Sequence, residues 1–516
     1  MSGRLVHSLL FACAIVAVGC GSTARPNGGG GGGDGGMNIS CPTVGATMPC
    51  YTGAAGTENV GLCKGGTMTC GTDNTWSSCA GEVVPANEPC NATQDLDCDG
   101  KVGEDVDQDG DGWTNCNGDC CDDPNVCSNP AGVNPGAFEV PGDGVDNDCD
   151  GKIDEDEGPC DSGLLSNTAS MEDYVKALDL CNQGSAATSP AGSNVAKTAT
   201  GPTWGVISAA FSFADGTGSG DANGRSIRPH FGTGTTPQVG ASLVELATGH
   251  AAAKDDTAAP TYQDFQSSSG NGGSSPFPAD WYSANGSKLP NAPGCPTPGG
   301  DTANSPEMLT LTIRVPTNAA SFTLKVNFFS SEFPEYVCTE FNDFFVVLLD
   351  SSYSGTGSAA NPADKNLAFY SSNGMKYPVG VNLADLNSGL FSQCVNGTLG
   401  CAGLAGLTGS AQITTCTSTA GLAGTGMDTA DSGDCNSNSL EGGGTGWLTT
   451  SGNVVPGEII TLRIAIWNTS DDNYQSIATI DGLTWSAEPS NPGTTILIAR
   501  PNGRVDTYPV SQLDMR

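Results

Sequence analysis

Between Asp95 and Asp161 the chain carries 21 of its 56 acidic residues against two cations, Lys101 and Lys152. Carboxylates crowded in this way repel one another, so the stretch either folds around bound cations or stays an extended acidic spacer. The spacing of the acids favours cations. In DNDCDGKIDEDE, Asp146 to Glu157, carboxylates occupy the first, third, fifth and ninth positions, Gly151 the sixth and Glu157 the twelfth, which is the pattern of a calcium-binding loop. Asp146, Asp148 and Asp150 are expected to supply side-chain oxygens and Lys152 its carbonyl. Asp154 would act through a water, Glu157 would close the loop bidentately, and Ile153 would pack inward.

An earlier copy, DLDCDGKVGED, places Asp95, Asp97 and Asp99 fifty-one residues upstream of the second set. Its twelfth position is Val106, so closure falls to Glu104, Asp105 or Asp107, and weaker or shared binding is expected. A third cluster, DQDGDGW, adds Asp107, Asp109 and Asp111. Gly, Pro and Cys flank these loops, which argues against a helix-loop-helix hand. Oxygen ligands without His or Met suit Ca2+ better than copper, which favours imidazole and sulfur.

The first residues point to export. Arg4 precedes an apolar run from Leu9 to Val18 that is too short to span a bilayer, and Ala17, Val18 and Gly19 lead into Cys20. This pattern resembles a bacterial lipoprotein signal, which implies cleavage before Cys20 and lipidation of that residue; an ordinary secretory signal with a chance cysteine is the alternative. Gly21 after Cys20 resembles the class sorted to the outer membrane. PNGGGGGGDGG then reads as a flexible tether. Of 22 cysteines, 20 remain once Cys13 and Cys20 are set aside, fourteen between Cys41 and Cys181 and six between Cys295 and Cys435. With only His230 and His250 left in the mature chain, disulfides fit better than zinc, although the spacing does not give the pairing. A net charge of −37 with no basic patch excludes nucleic acid as a partner.

Residues 41–94, with KGGTMTCGTDNTWSSC at their centre, read as a small stapled unit of two or three strands. The run from CYTGAAGTENVGLCKGGTMTC into DLDCDG resembles modules of large secreted myxobacterial proteins. DQDGDGW, GDCCDD, NPGAFEV and DGVDNDCDGKIDED, within residues 95–161, resemble the metal-binding motif named after the MopE proteins. The Cys120-Cys121 doublet and Cys127 depart from that pattern.

Farther on, Ser170 opens SMEDYVKALDLCNQ with an N-cap and an apolar face, which predicts a helix. Leu309 to Val315, Phe322 to Phe328 and Ile460 to Ile466 alternate with polar residues, as strands do. FFVVLLD, Phe344 to Asp350, is apolar on both faces and predicts a central strand. The expectation is a mainly β chain: a β-sandwich with long insertions at 266–305 and 351–445, preceded by the disulfide-rich acidic module and the tether. FFSSEFPEYVCTEFNDFFVVLLD and GTGWLTTSGNVVPGEIITLRIAIWNTSDDNYQSIATIDGLTW resemble the choice-of-anchor L domain over residues 165–490. The resemblance implies a bacterial surface domain and brings no catalytic activity.

Glu332, Glu335, Glu340 and Asp343 lie in one of those segments and Asp471, Asp472 and Asp481 in the other. If the segments adjoin, Glu332, Glu335, Asp343, Asp471 and Asp481 could form a second metal site or a carboxylate pair for glycan hydrolysis; a polar sheet edge is the plainer reading. Trp281, Tyr282, Trp447, Trp467 and Trp485 serve either as stacking surfaces for sugar or as core anchors. No hydrolase triad or phosphate loop is evident in the sequence, so the chain reads as non-enzymatic. Signal peptide (1–19), anchor and tether (20–40), cysteine-rich module (41–94), acidic module (95–161), sandwich (165–490) and tail (491–516) together suggest a lipid-anchored cell-surface protein of a Gram-negative bacterium, with an adhesive or structural role toward an extracellular protein or glycan. A surface carbohydrate-binding protein or glycan hydrolase, or a copper-capture protein, is the alternative.

Overall fold

The computed structural model describes residues 41–499 and 505–508 apart from 87, 89–91, 104–106, 157, 187–202, 267–269, 373–374, 387–388 and 432–438. Cys20, Glu104, Asp105 and Glu157, with the signal and tether segments, lie outside the described residues. The chain divides into two compact units, and the division runs through the cysteine-rich stretch: 41–52 and 65–82 form the first, 53–64 and everything from 83 onward the second. In the first unit Thr47–Cys50 pairs antiparallel with Gly66–Thr69. Cys41–Cys70 and Cys50–Cys79 staple a hairpin too small to bury a core of its own.

The second unit is built on two antiparallel sheets. One runs in the order Phe369–Ser372, Met375–Gly380, Phe344–Asp350, Ile459–Asn468, Ala303–Arg314 and Gly205–Ser212. The other runs Val505–Tyr508, Gly493–Ala499, Leu448–Asn453, Ser321–Ser330, Ser476–Ser486, Leu243–Ala247 and Arg225–Arg228. Leu309, Leu311 and Ile313 of the first meet Phe322, Leu324, Val326 and Phe328 of the second in one apolar core. These are the alternating residues of the sequence, and each fully buried Leu or Phe contributes roughly 1.5–3 kcal/mol. The architecture is a β-sandwich.

Phe344–Asp350 takes the central place its double apolar face requires, between Met375–Gly380 and Ile459–Asn468, and all but Asp350 are buried. Its outer face, with Trp467, is covered by the short helix Ala279–Ala284, which inserts Trp281. The helix at 171 is one and a half turns long, Met171–Lys176, capped by Ser170 accepting from the Asp173 N–H, and seats Tyr174 edge-on against Phe211 at 4.8 Å. From 491 onward the sequence reads as a tail, yet Gly493–Ala499 pairs with Leu448–Asn453 and then with Val505–Tyr508. The isolated run TTILIA is apolar enough to extend a sheet edge, but too short to declare itself without its partner.

Candidate metal centre

Three loops in the acidic module share one wiring. The first-position carboxylate accepts from the N–H of a glycine five residues on: Asp95 from Gly100, Asp107 from Gly112 and Asp146 from Gly151, each at 3.0 Å. The third-position carboxylates, Asp97, Asp109 and Asp148, accept from the fifth-position N–H at 3.1, 3.0 and 3.0 Å. The fifth-position carboxylates, Asp99, Asp111 and Asp150, accept from the seventh at 2.7, 2.7 and 2.8 Å. Such a coil demands left-handed backbone at two points. Gly100, Gly112 and Gly151 have φ of 96°, 96° and 92°, while Cys98, Gly110 and Cys149 at the fourth position have 67°, 84° and 61°. The two cysteines hold that conformation through Cys63–Cys98 and Cys120–Cys149. Across the first loop lies Gly61, where any Cβ would fall 2.3 Å from the Asp95 carboxyl carbon.

Each loop is also gripped by a carboxylate from outside it. Glu139 accepts from the N–H groups of Asn147 and Asp154, the second and ninth positions, at 2.7 and 2.9 Å. Glu88 grips the first copy alike, through Leu96 at 2.7 Å and Gly103. Asp122 does the same for the middle loop through Gln108 at 2.7 Å and Asn115 at 3.4 Å. Sequence reasoning missed all three, although Glu88 and Glu139 both stand seven residues ahead of their loop, a repeat that aligning the copies would have exposed.

The result, among the described residues, is five groups of carboxylates whose oxygens lie within 4.8 Å of one another: Glu88, Asp95 and Asp97; Asp107, Asp109 and Asp122; Asp109, Asp111 and Asp119; Glu139, Asp146 and Asp148; and Asp148, Asp150 and Glu155. Burial, reinforced by neighbouring carboxylates, pushes Asp97, Asp109 and Asp148 up to about 6, Asp111 to about 7 and Asp119 to about 8. One oxygen each of Asp109, Asp119 and Glu155 is buried with no hydrogen-bond donor. The backbone thus gathers negative charge without neutralising it, as a cation site requires.

Residues 85–104 and 121–155 match the MopE family model, “Putative metal-binding motif”. The matched segments hold the first and last loops of the MopE-type motif with their gripping glutamates, and the middle loop falls in the gap. No curated protein and no solved structure matched the chain.

Some expected ligands serve otherwise. Asp99 lies outside the five groups and pairs with Lys101 at 2.8 Å. Lys152, whose expected ligand is its carbonyl, pairs its ammonium with Asp150 at 2.5 Å and leaves that carbonyl out of the ion pair. Asp154 caps the turn at 142–144, accepting from the N–H groups of Gly142, Asp143 and Gly144 at 2.7 to 3.3 Å, so this oxygen is already engaged by backbone donors. Ile153 does not pack inward; it is 59% exposed, since no flanking helix pair offers it a groove.

The acids of the sandwich divide into three places. Glu332 and Asp343 are buried at one end of the core, electrostatically close to Asp471. Glu335 turns to Asp431 and Ser439. Asp481 is elsewhere: it accepts from the N–H groups of Gln238 and Val239 and faces Asp179. Trp281 and Trp467 are fully buried and present no surface to a sugar.

Proposed function

We propose that the acidic module binds Ca2+ in its three loops and that the ions hold it as a rigid arm beside the sandwich of a lipid-anchored, exported surface protein. The observation that carries this reading is the common wiring: three loops with the same hydrogen bonds and an external carboxylate, all directed at an all-oxygen donor set. Hard oxygen donors suit Ca2+, and neither His nor sulfur enters any group, which disfavours copper. The arm is fastened to the sandwich through Asn134, whose amide donates to Asp111 at 2.6 Å and accepts from Thr317 at 2.7 Å. Phe138 and Asn318 add a reciprocal pair at 3.0 and 2.8 Å.

In this reading lipid on Cys20 supplies the anchor at the outer membrane or cell surface, residues 20–40 the tether, and the choice-of-anchor L-like sandwich an adhesive or structural contact with an extracellular protein or glycan, with no catalytic step. Calorimetry of the full mature chain with Ca2+, with Cu2+ as comparison and Asp148→Ala as control, tests it. Calcium heat reduced in the variant is the expected result; tighter binding of copper than of calcium would remove the mechanism.

A further inference from the structure

Two buried carboxylates of the sandwich are matched by arginine. Glu307, 1% exposed, receives Arg225 at 2.6 Å, and Glu245, fully buried, has Arg228 at 3.9 Å. Glu332 and Asp343 are each 1% exposed, and among the described residues no Lys or Arg reaches either. One oxygen of each, Glu332 Oε2 and Asp343 Oδ1, has no hydrogen-bond donor. Isolated charges in such a place cost far more than a folded chain tolerates.

The strand register shows what surrounds them. Trp467 lies opposite Phe344, and Asn342 and Thr469 exchange hydrogen bonds two positions on, so Asn468 lies opposite Asp343 on the same face. That face is the interior one, because it continues the series of Phe345, Val347, Ile464 and Ile466, which line the core. From the other sheet, Ser330 and Ser476 continue the inward series of Phe328 and Ala478. Ser476 Oγ donates to Asp343 Oδ2 at 2.6 Å and lies 2.9 Å from Ser330 Oγ, from which it can accept. The apolar core therefore ends in a layer of oxygens drawn from both sheets. Asn468, itself not acidic and 1% exposed, contributes a carbonyl oxygen that likewise lacks any donor. Three buried acceptors without donors, two of them carboxylate oxygens, thus lie at this end of the core with oxygen as their only donor chemistry, which suits a hard cation.

We infer that Glu332, Asp343 and Asn468 bind a Ca2+ ion between the two sheets, with Ser330 and Ser476 completing the shell. This site is distinct from the three loops and does not depend on them. Asp471 and Asp472, in the loop joining Ile459–Asn468 to Ser476–Ser486, place further negative charge beside the cradle.

The test uses the full mature chain and Ca2+ alone as probe. Bound ions are counted, and thermal unfolding is followed with Ca2+ and with chelator, for the wild type, Glu332→Gln/Asp343→Asn, and Asp148→Ala. The double variant is expected to bind one ion fewer and to lose the calcium-induced rise of the sandwich transition, while Asp148→Ala keeps that rise. Asn468→Asp guards against a double variant that folds poorly. A third carboxylate should tighten calcium binding at the sandwich about tenfold, whereas in a carboxyl pair that merely shares a proton it lowers stability equally with and without calcium. An unchanged ion count in the double variant, or an Asn468→Asp chain equally weakened in both conditions, overturns the inference.

Discussion

The acidic module and the sandwich solve the same problem with opposite materials. The sandwich is held by side chains such as Leu311, Phe328 and Leu462, fully withdrawn from water. In the module the buried residues include Asp97, Asp119, Asp122 and Asp123, and its order comes from carboxylate-to-backbone hydrogen bonds and disulfides. Burial of apolar surface travels with the chain, whereas a lattice of carboxylates is stable only with ions supplied from outside. The sandwich should therefore keep its fold on its apolar core when calcium is removed, losing only the increment its own inferred ion supplies, while the module should lose its order to chelator, reductant and pH.

The largest contrast is expected when chelator and reductant are applied together: limited proteolysis should open residues 95–161 while a fragment containing the sandwich survives. Survival of an intact module under both treatments would erase the distinction. Next, Phe328→Ala should cost the sandwich about 3–5 kcal/mol in denaturant unfolding with calcium affinity of the loops unchanged. Glu139→Gln should weaken calcium binding by about tenfold to a hundredfold, because it loosens the grip on the second and ninth positions of the last loop. The metal-free module should show an inverted pH response. Burial raises Asp119 from its ordinary 3.8 to about 8, so the stability due to its protonated form is present below about pH 4 and lost as pH rises through about 8. Without metal, melting at about pH 5 should exceed that at about pH 8.5, and calcium should reverse the order because protons compete for the same oxygens. The smallest effect is expected from Asn134→Ala, about 1 kcal/mol in the coupling between calcium binding and sandwich stability, measured by comparing melting with and without calcium.

Much of this was legible in the chain where chemistry and periodicity coincide. The strands around Leu311, Leu324 and Ile464 follow from alternation, and Phe344–Asp350 from the lack of it. The loop acids are legible because positions one, three, five and six are fixed by local backbone geometry. Glu88, Glu139 and Asp122 were not, since they stand outside the twelve-residue pattern whose N–H groups they hold. Asn468 escaped notice because an amide becomes a ligand only through what stands opposite it. Asp481 was grouped with Asp471 by proximity in sequence, but an extended strand advances about 3.3 Å per residue. Five residues beyond Ser476, Asp481 has left that end of the sandwich and meets Gln238 and Asp179 instead.

The cysteine at the fourth position of the first and last loops has a bearing on biogenesis. Cys98 and Cys149 are at once links in a disulfide and members of the coil that aims the carboxylates. While those thiols are free, nothing pins the left-handed turn, and the chelating geometry is only one of many conformers. On the proposed function, a chain with those thiols free should be a poor scavenger of divalent ions, so that oxidation and metal loading would form a single maturation step.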